Sequence, residues 1–251
     1  MRRMFVIALA VFVVLDRSNC AADDVQAEMR ALVNKAIKAL GGESRVKELD
    51  AVTWKATSSF DRAGTPYTWK MEGSFRGWEQ ARLDSTFEAG GGTRSGTTII
   101  NGNKGWSKND NGQAELKQGI VSLFKGYFYP IRLAQMPALL KDKAYTLSAL
   151  GEMTIRGRPA VGVKAIRKGC PDADVFFDRE TGLPLKCQAQ IKLSSGKEPV
   201  FEFFLSKPRD MGAVKHFTEI EFHRDGVKYL TIEVTEVKPS ADLDADLFAK
   251  P

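Results

Sequence analysis

The residues able to do chemistry in this chain are few and poorly spaced for it. Its two histidines, His216 and His223, lie seven apart in a stretch that alternates apolar and polar types. On a strand that spacing turns them to opposite faces. They read as two surface histidines, with no convergent ligands for a zinc or di-iron site. Ser122 and Lys125 repeat the Ser-x-x-Lys of penicillin-recognising enzymes, but no SDN or KTG element accompanies them. The same pattern recurs at Ser44/Lys47, which marks it as chance. Glu219 and Glu221 alternate with apolar partners, as a solvated strand face does. The glycine-rich "EAGGGTRSGTT" lacks the Lys-Ser/Thr of a phosphate cradle and opens no helix, so it reads as a hairpin connection. The pattern therefore predicts no catalytic residue and no metal site.

Two cysteines, Cys170 and Cys187, flank "PDADVFFDRETGLPLK". With "RETG" as the turn of a hairpin, Asp178 faces Leu183 and Cys187 faces Asp174. Four more strand residues carry Cys170 roughly 13 Å further on. That exceeds disulfide reach unless the chain folds back at Pro171. A Cys170–Cys187 bridge stays open as an alternative, because an exported chain retaining a cysteine pair invites one.

Export is what the N-terminus predicts. Arg2 and Arg3 precede the apolar run Met4–Leu15, followed by "DRSNCAADD". That is a secretory signal, cleaved after Ala22, and the run is too short for a lasting membrane span. Cys20 has charged and polar neighbours upstream where a lipid-modified cysteine would have small apolar ones. Removing residues 1–22 takes away three positive charges and one negative, so the formal charge of +6 falls to +4. Such a charge, with no basic stripe, gives no reason to expect nucleic acid as a partner.

The elements that would carry any site come next. Val25, Met29, Leu32, Ala36, Ile37 and Leu40 recur at helical spacing over 23–40, and Gly41-Gly42 supplies the stop. A helical turn is expected over 44–49. The period then becomes two: Val52, Trp54, Ala56 and Phe60, then Tyr67, Trp69, Met71 and Phe75, then Ala81, Leu83 and Phe87 share dry faces. Residues 119–142 are apolar without alternation and are expected as short helical pieces cut by Pro130 and Pro137. Strands resume over 144–149, 152–156, 159–167, 173–178, 183–192, 198–206, 214–223 and 227–237, parted by turn signals such as "RGRP", "RETG" and "RDG". The prediction is one mainly β (α+β) domain over 23–251. About ten antiparallel strands must twist and curl, and the helices are the only material to cover the concave face.

Aromatic content is the feature with functional weight. Trp54, Phe60, Tyr67, Trp69, Phe75, Phe87, Phe201 and Phe203 fall on dry faces, and Phe124 and Phe128 crowd the helical segment. Either these rings are solid core, or they line a greasy cavity between sheet and helices. Met71, Leu83 and Met136 join them as candidate cavity residues.

Seven stretches in order carry a resemblance: "KALGG", "INGNKGW", "MPALLKD", "GRPAVGVKA", "FFDRETGLPLK", "HRDGVKYLTIEVTEVK" and "DLFAKP". Through them the chain resembles the outer-membrane lipoprotein-sorting (LolA/LolB-like) superfamily. The resemblance implies a half-open antiparallel barrel whose apolar concave face is covered by helices. It implies binding of the acyl chains of lipids or lipoproteins, with no cofactor and no catalysis. In that frame "FFDRETGLPLK" is a hairpin of the wall. The best-known carriers work with dedicated membrane partners, and no motif for one maps onto this chain. Two functions follow: a periplasmic lipid or lipoprotein carrier, or a sensor or scaffold that binds a protein partner at a sheet edge.

Overall fold

The computed structural model describes residues 17–62, 64–193, 195–212 and 214–251, so the basic and apolar parts of the expected signal peptide lie outside the described residues. Helix α1 spans Arg17–Ala39 and is followed by the short α2, Glu43–Glu48. Between them Gly41 and Gly42 take positive φ of 120° and 96°. The Gly42 N–H returns to the Ile37 carbonyl at 2.9 Å, which ends the helix where the glycine pair predicts. Met29, Val33, Ala36 and Ile37 form the buried stripe of α1, which Leu40 continues just past its end, whereas Val25 stays exposed.

Six strands come next: β1 Ala51–Arg62, β2 Thr65–Arg76, β3 Gln80–Ala89, β4 Gly92–Asn101, β5 Lys104–Asn109 and β6 Gly112–Glu115. Helix α3, Gln118–Gln135, and a 3-10 turn, Pro137–Lys141, then lead to β7 Thr146–Ile155, β8 Arg158–Ile166, β9 Ala173–Asp178 and β10 Pro184–Gln190. The last strands are β11 Val200–Met211, β12 Val214–Arg224 and β13 Val227–Pro239. All thirteen join one sheet in the order β6-β5-β4-β3-β2-β1-β13-β12-β11-β10-β9-β8-β7. Each pairing is antiparallel, and the outermost strands β6 and β7 pair on one side only, so the sheet is not closed into a barrel.

That order dictates the cover. The link from β6 to β7 joins opposite edges of the sheet, so it must cross a face, and it carries α3 over the one that holds the main core. There α3 packs against β5, β9 and β10. Two glycines admit it. A Cβ on Gly126 would lie 2.5 Å from Ile191 Cδ1, and one on Gly105 would lie 3.0 Å from Val121 Cγ2.

Several expectations are corrected. Pro130 does not cut the helix: α3 runs through it, and only Pro137 opens a separate turn. Proline at 130 removes the donor owed to the carbonyl of Gly126, four residues earlier, and the packing of Tyr129 and Leu133 holds the helix through that gap. The runs 144–149 and 152–156 are one strand, β7, with an irregularity between Ala149 and Gly151. "EAGGGTRSGTT" is a hairpin turn at Gly90-Gly91 whose second half is strand β4. The hairpin at "RETG" forms, with the Asp178 N–H bonded to the Leu183 carbonyl at 2.8 Å. A register shift between Pro184 and Lys186 sets Cys187 against Val175 and gives Asp174 to Gln188. Cys170 and Cys187 are free thiols. Cys187 is buried in the core, which pushes its thiol pKa up.

The wet face carries ion pairs such as Lys70–Glu88 at 2.6 Å, and the C-terminal Phe248 is buried with Ile99 and Leu243. No helix among the described residues is long and apolar enough to cross a membrane.

Candidate functional site

The alternation of β1 and β2 builds the first wall of the site. Cross-strand register sets Val52 against Phe75, Trp54 against Gly73, Ala56 against Met71 and Ser58 against Trp69. Dry-face residues therefore line up in rows across the sheet. The row through Trp54 is unusual, because its partner has no side chain. The indole lies flat over Gly73, where a Cβ would sit only 2.7 Å from Nε1. A strand glycine marks such a close approach. The indole then stacks on Phe75 with ring centroids 5.7 Å apart.

Helix α3 supplies the roof. Phe128 meets Phe75 edge-on at 5.1 Å, and Tyr127 meets Phe201 at 5.0 Å. Between roof and wall a cavity of about 80 Å³ remains. It is bounded by Leu49 beyond α2, by Val52, Trp54 and Phe75, by Phe128, Ile131, Arg132 and Gln135 of α3, and by six residues of β12 and β13. Those six are His216, Ile220, Phe222, Ile232, Val234 and Val237. At roughly 10–15 Å³ per water-sized group, the space holds a handful of such groups and is otherwise lined by hydrocarbon.

Its polar members are Arg132, Gln135, His216 and the indole of Trp54. Arg132 is 2 % exposed, a burial that Arg reaches rarely without a paired charge. Its Nη2 donates to the Leu49 carbonyl at 2.6 Å and the Asp50 carbonyl at 3.3 Å, and its Nε donates to the Gly77 carbonyl at 3.2 Å. Burial lowers its pKa to about 10 despite the opposing pull of Asp50. The guanidinium carbon lies 5.3 Å above the Phe75 ring. His216 is also buried, and its pKa falls to about 4, first through burial and then through the charge of Arg132. Its Nδ1 accepts the Phe217 N–H at 2.9 Å. The neutral ring therefore carries its proton on Nε2. The indole Nε1–H of Trp54 is buried with no partner.

The thirteen residues singled out from the sequence fall into three groups. Trp54, Phe75 and Phe128 line the cavity, with Phe124 beside Phe128 at 5.9 Å. Met71, Leu83, Met136, Phe201 and Phe203 are buried core. Phe60, Tyr67, Trp69 and Phe87 lie further along β1–β3 as two stacked pairs, Phe60–Tyr67 at 5.3 Å and Trp69–Phe87 at 4.9 Å. Phe87 in that outer group is exposed.

One sequence reading misses the mark here. His216 and His223 do face opposite sides, but only His223 is on the surface side, beside Glu221 at 3.2 Å. His216 is interior. Arg132 and Gly73 escape notice as well. The signal was present: Arg132 interrupts an apolar helical face, and Gly73 falls at a dry-face position between Met71 and Phe75.

The sequence matches no family model and no curated protein. The fold has clear relatives among solved structures. A LolA superfamily protein from Nitrosomonas europaea superposes with a TM-score of 0.56 at 11% identity, covering 88% of this chain and 97% of that one. A domain assigned as an outer membrane lipoprotein-sorting protein, from Vibrio parahaemolyticus, gives 0.54 at 11% identity over 87% and 97%. A DUF1329 family protein from Desulfovibrio piger gives 0.52 at 12% identity over 88% and 96%. The open, helix-covered antiparallel sheet of this chain is thus a LolA-like fold.

Proposed function

We propose that this protein is an exported, non-enzymatic carrier that holds acyl chains of a lipid or lipoprotein between the concave sheet and α3. One observation carries the reading: the cavity under α3 is walled by Trp54, Phe75, Phe128, Phe222 and Ile232. A LolA-like fold supports it. Each methylene buried there contributes about 0.8 kcal/mol, so a handful of groups in the existing space already gives several kcal/mol. A long chain needs more room, and α3 is the element that must yield. Residues 1–22 act as the signal peptide in this reading, and N-terminal sequencing of exported protein should begin near Asp23.

The test is native mass spectrometry of untreated protein, followed by uptake of a fluorescent acyl probe after delipidation. Phe128→Asp should abolish uptake by placing a charge against hydrocarbon, while circular dichroism stays unchanged. A bare polypeptide mass with no probe uptake would sink the carrier reading. A second reading, a scaffold for a protein partner, is favoured by the unpaired edge of β7, where Leu150 and Met153 are exposed. In that case cross-linking from position 153 should capture the partner with the cavity empty.

A further inference from the structure

Within that cavity the polar groups are arranged in a way that hydrocarbon binding alone does not explain. Arg132 is fully buried and carries its charge against the face of Phe75. Among the described residues no carboxylate comes within ion-pair distance of it, Asp50 acting only through its field, and all three carbonyl bonds named above leave from Nε and Nη2, none from Nη1. A buried charge is ordinarily paired. Independently, the Trp54 indole N–H on the facing wall is buried without an acceptor, which costs roughly 1–3 kcal/mol unless something accepts from it. His216 lines the same cavity with its ring proton on Nε2, and the carboxamide of Gln135 completes the set. Every one of these groups can donate, and no acidic side chain lines the space.

We propose that this donor cluster is a head-group site, and that the ligand is a long-chain carboxylic acid bound with its carboxylate inward against Arg132 and Trp54. The inference rests on the acyl-binding reading and names its ligand class. A carboxylate accepts up to four hydrogen bonds and matches a guanidinium fork. It would neutralise a charge whose removal from water folding has already imposed. The hydrocarbon tail follows the apolar walls away from the donors, past Phe222 and Ile232. A neutral ester or alcohol of equal length gains the same hydrocarbon contacts but leaves the guanidinium unpaired.

The experiment compares a fluorescent polyene fatty acid with its own methyl ester, titrated into delipidated wild-type protein at neutral pH. The acid should bind at least tenfold more tightly than the ester. Arg132→Gln should collapse that ratio towards one, with circular dichroism reporting whether the fold survives. Should the variant unfold, the wild-type ratio decides alone. Equal affinity for acid and ester overturns the head-group site and leaves acyl binding standing. Uptake of neither probe overturns both.

Discussion

Gly73 offers a sharp test of how the wall of the cavity is built. The Trp54 indole occupies the space that any side chain at 73 would need, and even its Nε1 atom would be 2.7 Å from an added Cβ. A carbon at that distance cannot stay, so Gly73→Ala must push the indole off the strand or bend the strand itself. Inserting one methyl into a packed site costs typically about 1–3 kcal/mol. Replacing a strand glycine by alanine returns roughly 0.5–1 kcal/mol of backbone entropy. A domain of this size loses roughly 2–4 °C in Tm for each kcal/mol. Gly73→Ala should therefore lower Tm by a few degrees, and tryptophan fluorescence should shift as the ring is displaced. The decisive measurement is a double-mutant cycle with Trp54→Phe, whose smaller ring makes room for the methyl. In that background Gly73→Ala should be neutral or stabilising. An equal Tm loss in both backgrounds would refute the account, since the cost would then come from somewhere other than the indole.

Other outcomes follow from the buried ionisable groups. His216 has its pKa depressed from 6.5 to about 4, so the unfolded chain takes up this proton before the folded one does. Its contribution is complete above pH 6.5 and is lost as pH falls towards 4, amounting to roughly 3 kcal/mol. Urea midpoints at pH 7 and pH 5 should differ less in His216→Asn than in wild type. Lys186 and Glu202 pair at 2.6 Å with side chains 11% and 15% exposed, and Lys186 lies between the Phe176 and Phe204 rings. Glu202→Leu should cost about 2–4 kcal/mol by stranding the ammonium, whereas adding Lys186→Met should restore most of it. Protein beginning at Asp23, unfolded without reductant, should titrate two thiols with a chromogenic disulfide, because Cys170 and Cys187 are unbridged.

The sheet was legible because alternation in "AVTWKATSSF" and "YTWKMEGSFR" depends only on pairs of neighbours. Parity puts Val52, Ala56 and Met71 inside, and they are inside. Strands β4 to β6 were not legible, since "GTRSGTT" and "GQAE" have no dry face for a pattern to reveal. Helix α3 was read as broken because proline rules are local, while what carries it past Pro130 is packing on strands more than fifty residues away, such as β10. The aromatic inventory was legible as apolar surface, but which rings border space depends on where α3 lies. The polar members of the cavity were illegible for a related reason. A lone arginine in a helix and a lone histidine in a strand become one cluster only through contacts 84 residues apart in sequence.

The strand order carries a consequence for how the molecule comes into being. Every neighbouring pair in the sheet is also consecutive along the chain, except β1 with β13. The hairpins can each zip locally, but that one seam must wait for a loop of well over one hundred residues to close, which makes it slow. The cavity straddles the seam, with Val52 and Trp54 on one side and Val234 and Val237 on the other. Both meanders could be formed, each with its hairpins in register, and the molecule would still have no binding site. Competence to bind is therefore expected to appear in a single late step, once β13 is free to pair with β1. A chain truncated before Val227 should be blind to ligand however well its remaining hairpins fold.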